Sequence, residues 1–261
     1  MIHDILSLDT SHRTLAHVNE VSNVQPWRWL AAGWKDLRSA PTASIGYGML
    51  FVVASYLITF GLVLNQLFYL VLPLAAGFFL VAPALGMGLY EISRTLERRG
   101  TPTLRRTIAA IAVNRFHVTT MGAFLTVWFL AWILVANLIF VGMSSGISPS
   151  FATALGYLAS SQNLPMLVVG TLVGAVFALI AFAASAVSVP MLLDRKDVDV
   201  LSAMQVSVAA CLYNWRPMLL WAALIGIFIL AGFLTLYVGL AIGFPLIGHA
   251  TWHAYRDTVM R

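Results

Sequence analysis

The sequence predicts an all-α polytopic membrane protein: six transmembrane helices in three hairpins, each preceded by a short amphipathic helix. Three observations carry this. Of the 261 residues, 60% are apolar and only 10% charged, where a soluble domain has about a quarter of its residues charged. Long apolar blocks recur along the chain. The charged residues gather in alternate connections between those blocks.

Residues 1–25 form a polar N-terminal segment. His3, Asp4, Asp9, His12, Arg13, His17 and Glu20 leave no room for the apolar core of a cleaved signal peptide. The transmembrane domain, 26–261, opens with "WRWLAAGWKDLR". Here Trp27, Leu30, Ala31, Trp34 and Leu37 recur at helical spacing, with Arg28, Lys35 and Asp36 elsewhere. Apolar blocks at 44–65 and 67–90 follow, each near the ~20 residues that cross a hydrocarbon core of about 30 Å. In "TPTLRRTIAAIAVNRF", Thr101 is a candidate N-cap and Pro102 a first helical residue, with Leu104, Ile108, Ile111 and Ala112 as the stripe.

A span at 118–142 leads to the loop 143–163, where Ser148-Pro149 starts a short helix with Phe151, Leu155 and Leu158 on one side. After the span 164–190, "DVDVLSAMQVSVAACLYNW" repeats the amphipathic pattern with Leu201, Met204, Val208 and Leu212. The final block, 217–255, is too long for one crossing and reads as a hairpin turning near Leu234-Thr235-Leu236-Tyr237. The amphipathic stretches read as interfacial helices on the cytoplasmic leaflet, with Trp and basic residues at headgroup level. The alternative is a loop helix packed on protein.

Six crossings place all 15 Lys and Arg residues, and all ten Asp and Glu, on one side. By the positive-inside rule both termini are then cytoplasmic and the 143–163 loop lies outside. Five crossings would put Arg256 and Arg261 on the other side. The pI of about 9.7 follows from this placement and does not point to nucleic acid. The single cysteine, Cys211, excludes an intramolecular disulfide.

The layout repeats three times, over about 26–100, 101–198 and 199–261. "VAPALGMGLYE" and "GFPLIGHATWH" align as Pro-x-x-Gly, Pro83/Gly86 matching Pro245/Gly248, and "SVPMLLDR" keeps Pro190 without the glycine. Each proline frees a helix carbonyl that must be satisfied by protein, so the prolines are expected to face neighbouring helices.

The blocks "PWRWLAAGWKDLRSAPTASIGYGM" and "FPLIGHATWHAYRD" resemble an uncharacterised family of bacterial inner-membrane proteins, domain of unknown function 2189. The resemblance runs from about residue 25 to the C-terminus. It is most specific at Trp34 with Asp36 and Pro41, at Tyr47-Gly48, and in the tail from Gly248 through Trp252 to Arg256. It implies a six-span bacterial membrane protein and little chemistry. Members are sometimes labelled cytochrome c oxidase subunits. A catalytic haem-copper subunit needs more spans and more histidines than this chain has, so the label fits at most an accessory subunit.

No HExxH, P-loop, GxSxG or GxGxxG arrangement opens a helix, and no acidic residue lies mid-span. The candidate site is the tail. His249 and His253 share a helix face, with Glu91 and His117 as further groups that packing could bring near. Trp252, Tyr255 and Arg256 read as an interfacial anchor. His249 lies deeper and needs a hydrogen-bond partner. Bonding to a neighbouring span is favoured over a haem or metal site, because one pair is half a tetrahedral site. Gly170/Gly174 and Gly239/Gly243 are GxxxG pairs, and Gly46/Gly48 and Gly86/Gly88 further small faces, that would let helices approach closely.

Three classes of function remain. The first is a non-enzymatic accessory or scaffold subunit in the bilayer, a respiratory complex being one candidate assembly, with a membrane-protein partner or a second copy of itself and no cofactor. The second is a small transporter or channel. The third is a haem, metal or quinone binder using His249 and His253.

Overall fold

The computed structural model describes residues 18–111, 115–143 and 160–260. Apart from one isolated bridge, the regular structure among them is helical. α1 (Gln25–Ser39) and α2 (Pro41–Leu64) are separated by Ala40 alone. Pro41 sits at the start of α2, where its missing N–H would have had no intrahelical partner. A 3₁₀ turn, Phe68–Leu70, leads to α3 (Val71–Leu85) and α4 (Met87–Glu97). Then come α5 (Leu104–Ile111), α6 (Arg115–Met143), α7 (Leu164–Ser185), α8 (Ser188–Asp194), α9 (Val200–Tyr213), α10 (Trp215–Leu234) and α11 (Leu240–Thr258).

Among the described residues five segments are long and apolar enough to cross a membrane: Pro41–Leu64, Phe68–Glu97, Thr119–Met143, Ser161–Asp194 and Trp215–Leu234. The expected sixth, α11, is not among them. Its final turns carry His249, His253, Arg256 and Asp257, and protein surrounds it. It packs on α1, α2, α4, α8 and α10, and Ile242 is its one exposed residue. A helix enclosed this way has no lipid-facing stripe to keep apolar. The hairpin turn falls where the sequence places it: α10 ends at Leu234, and Leu236 and Tyr237 take left-handed φ of 52° and 70°. Those strained residues are held from α2, as Tyr56 donates to the Leu236 carbonyl (2.6 Å) and Thr59 meets the Tyr237 hydroxyl (2.7 Å).

The outer helices show the opposite pattern. On α6, Val127, Leu130, Leu134, Leu138 and Val141 form an exposed stripe at helical spacing, while Trp132 and Ala136 face α3 and α7. Aliphatic stripes of this size on a helix surface fit lipid.

The helix breaks are closed by side chains from other helices. Between α3 and α4, past Pro83, the Leu85 carbonyl accepts the Tyr47 hydroxyl at 2.7 Å. Between α7 and α8, ahead of Pro190, the Val187 N–H donates to the Ser207 hydroxyl of α9 at 3.1 Å. Pro245 leaves α11 unbroken, but its ring removes the donor for the Ala241 carbonyl, four residues back. Gly48 of α2 backs onto that carbonyl so closely that a Cβ there would lie 2.6 Å from its oxygen. Pro190 and Pro245 are buried and Pro83 half-buried.

Several expectations change. Thr101 does not start α5, whose first residue is Leu104; the Thr107 N–H reaches the Thr103 carbonyl at 2.9 Å. The side chains of Ile108, Ile111 and Ala112, and the proposed helix after Ser148-Pro149, lie outside the described residues. Gly170 and Gly46 pack against little: a Cβ at Gly170 meets nothing within 4 Å, and one at Gly46 only Leu104 at 3.9 Å. Gly243, by contrast, faces the α10 backbone at Phe228.

Candidate functional site

The polar residues of α11 converge with those of α1, α2, α4 and α8 at one end of the bundle. Close approach of backbones makes this possible. A Cβ at Gly33 of α1 would stand 2.7 Å from the Ala250 nitrogen and 2.8 Å from the Leu246 oxygen of α11. A Cβ at Gly248 would collide with Leu89 of α4. Glycine at both positions sets α1 and α4 directly against the tail helix.

His249 is fully buried and held at both ring nitrogens. Nε2 lies 2.8 Å from the Ser44 hydroxyl of α2, and Nδ1 lies 2.8 Å from the Ser93 hydroxyl of α4. A neutral imidazole offers one N–H and one lone pair, and hydroxyls can serve either. Each serine hydroxyl can donate to a ring lone pair or accept a ring N–H, so either neutral tautomer is satisfied at both nitrogens. One step further out, His253 Nε2 meets Asp36 at 2.8 Å. Burial works against the Asp36 charge, but the hydrogen bonds from His253 and Ser93 outweigh it and hold the carboxyl below its ordinary value. The result is a cluster of five polar groups, Ser44, His249, Ser93, Asp36 and His253, drawn from four helices, α1, α2, α4 and α11.

A second group surrounds it. Asp194, at the end of α8, receives Arg94 (3.3 Å), Arg98 (3.6 Å), Arg256 (3.1 Å) and the Tyr255 hydroxyl (3.1 Å). Arg256 also pairs with Glu97 at 2.8 Å, and Trp252 donates to Glu97 at 3.1 Å. Asp257 accepts from Gln25 (2.6 Å) and Trp29 (2.8 Å) of α1. The ends of the described chain meet here: Val18 bridges Val259, and the Asn19 N–H donates to the Thr258 carbonyl at 2.9 Å.

Trp252 and Tyr255, expected at the membrane interface, are each 1% exposed. Their polar atoms find carboxylates on α4 and α8, so they need no headgroup. Glu91 pairs with Arg94 (3.1 Å) and Thr95 (3.4 Å) on its own helix, while His253 pairs with Asp36. The His117 side chain lies outside the described residues. Trp34 is exposed with Arg38 stacked 5.4 Å above its ring. Among the described residues no group of three or more His, Cys, Asp or Glu side chains is placed to hold a metal ion. The partners that sequence reasoning missed, Ser44, Ser93 and Asp194, carried no local signal. Serine at a helix end and aspartate in a connection are ordinary, and only packing brings them to the tail.

Residues 71–194 match a family described as predicted integral membrane protein (DUF2189). The family resemblance is therefore shown over that central segment, which contains neither the 26–49 block nor the 244–257 block that suggested it. No curated protein and no solved structure matches the chain.

Proposed function

We propose that this integral membrane protein is a non-enzymatic accessory or scaffold subunit of a bacterial inner membrane, built from three repeated units. In this reading α11 is a sixth crossing: 19 residues span about 28 Å at ~1.5 Å per residue, close to the hydrocarbon thickness. The pairing of Val18 with Val259 supports it, since ends that meet require an even number of crossings. With the charged residues at that end, both termini are cytoplasmic. Each unit is an amphipathic helix followed by two crossings, the second carrying the proline.

The observation that carries the functional reading is the engagement of His249. Both ring nitrogens are committed to serines from two other helices, which suits a residue that fixes how the third hairpin docks. A haem or metal ligand needs a free lone pair. His253 is likewise occupied by Asp36. Closure of the α3–α4 break by Tyr47 argues in the same direction against a transporter, where unwound backbone lines a cavity.

The test is an absorbance spectrum and metal analysis of protein purified from its native membrane, alongside His249→Leu. The expected result is no stoichiometric chromophore or metal in either, with weaker partner retention or stability in the variant. A stoichiometric cofactor that disappears in His249→Leu would replace this reading with the cofactor-binding one.

A further inference from the structure

α1 has two faces of different character. Pro26, Trp29, Gly33 and Leu37 are buried, against α11 in the main. The opposite face is exposed and reads Trp27, Ala31, Trp34 and Arg38 at spacings of four, three and four residues, flanked on one side by Arg28 and Lys35. Turning around the helix, aromatic rings give way to three cations. The one carboxylate of α1, Asp36, is turned inward onto His253 at 2.8 Å, so the exposed face carries cationic charge alone. The same pairing recurs where α9 meets α10: Arg216 lies 5.1 Å over the exposed Trp215 ring, next to the exposed Leu212 and Tyr213.

We infer that the exposed face of α1 binds the headgroups of anionic phospholipids in the leaflet at the charged end of the bundle. Trp27 and Trp34 sit at the level of the glycerol and upper acyl chains, as amphipathic rings do at an interface. Arg28, Lys35 and Arg38 reach the phosphates, and arginine's planar fork can bind a phosphate with two N–H donors. Charge complementarity selects this occupant, because a surface with three cations and no exposed carboxylate opposes a neutral or cationic one. Each basic residue near an anionic surface raises affinity roughly five-fold, from the ~1 kcal/mol such a residue contributes. Since α1 is pressed onto α11 through Gly33 and tied to it by Asp36–His253, lipid bound here steadies the tail helix as well. This inference rests on the membrane reading above and adds the lipid class.

The experiment places the purified protein in phosphatidylcholine nanodiscs with and without phosphatidylglycerol and measures its melting temperature. Wild type should melt several degrees higher with phosphatidylglycerol. Arg28→Gln/Lys35→Gln/Arg38→Gln should lose most of that increment, whereas Arg105→Gln, an exposed cation on α5, should keep it. Arg38→Gln alone, a milder change, should lose part and guards against a triple variant that fails to fold. Equal melting of wild type in both lipids, a triple variant with the full increment, or equal loss in Arg105→Gln would overturn the inference. So would the same increment from soluble glycerol phosphate added to phosphatidylcholine discs, which would mark a free-anion site. Failure of the membrane reading itself is seen separately, as release of the protein from membranes by an alkaline wash.

Discussion

Replacing His249 by leucine keeps the volume of the side chain near that of imidazole and deletes two hydrogen bonds of 2.8 Å each. Ser44 and Ser93 are 0% and 1% exposed, so water cannot replace the lost partner. A buried polar group left without a partner costs roughly 1–3 kcal/mol. Ser93 lies close enough to Asp36 to favour its charge, so a small rotation can re-pair its hydroxyl and its loss lies toward the low end, while Ser44 is stranded. Leucine recovers about 1–2 kcal/mol through apolar burial. The balance is a destabilisation of about 2 kcal/mol, or roughly thirty-fold in the folding equilibrium. Reversible unfolding in mixed detergent micelles, followed by tryptophan fluorescence, measures it. A second variant sharpens the test. Adding Ser44→Ala to His249→Leu removes the stranded hydroxyl and should restore about half the loss, because removing both members of a buried pair is much milder than removing one. A His249→Leu protein as stable as wild type, or a double variant less stable than the single one, would refute the reasoning.

Other consequences are direct. Gly33→Val and Gly48→Val should each cost more than about 2 kcal/mol, because the new side chain meets the backbone of α11. Gly61→Ala, with nothing within 4 Å of the new methyl, should be neutral or stabilising by up to ~1 kcal/mol. The same unfolding assay ranks all three. For pH, Asp36 has a folded value below its ordinary 3.8. Its contribution is therefore complete above that value and is lost as pH falls through the lower folded one. Asp36→Asn should be less stable than wild type at neutral pH, and the gap should narrow on acidification through that window. A constant gap would mean that the carboxylate charge contributes nothing.

Five of the spans and the final turn were legible because apolar length is a one-dimensional property of the chain. Which face of an amphipathic helix is buried was not. In α9 the stripe of Leu201, Met204, Val208 and Leu212 reads as interfacial, with packing on protein as the alternative; Leu201, Val208 and Leu212 are exposed, and the small residues Ala203, Ser207 and Ala210, with Val206, are the buried face. In a bilayer, large apolar residues gain nothing by turning inward, and small ones let helices approach, so the soluble-protein rule inverts. The enclosure of α11 was illegible for a related reason. Its polar residues suggested an exit from the membrane, whereas His249, Trp252, His253, Tyr255 and Arg256 are met by hydroxyls or carboxylates on α1, α2, α4 or α8, and Asp257 by Gln25 and Trp29 of α1. The need of His249 for a partner could be read from its depth. Which partner could not, since Ser44 and Ser93 are separated from it by 205 and 156 residues.

The account turns on α11 as an enclosed crossing that returns the C-terminus to the side of the N-terminus. Reporter fusions at Ser148 and after Arg261, each active on one side of the membrane only, measure this directly. The account predicts opposite sides, with the C-terminal fusion cytoplasmic. A C-terminal fusion on the same side as the Ser148 fusion would leave five crossings and contradict it.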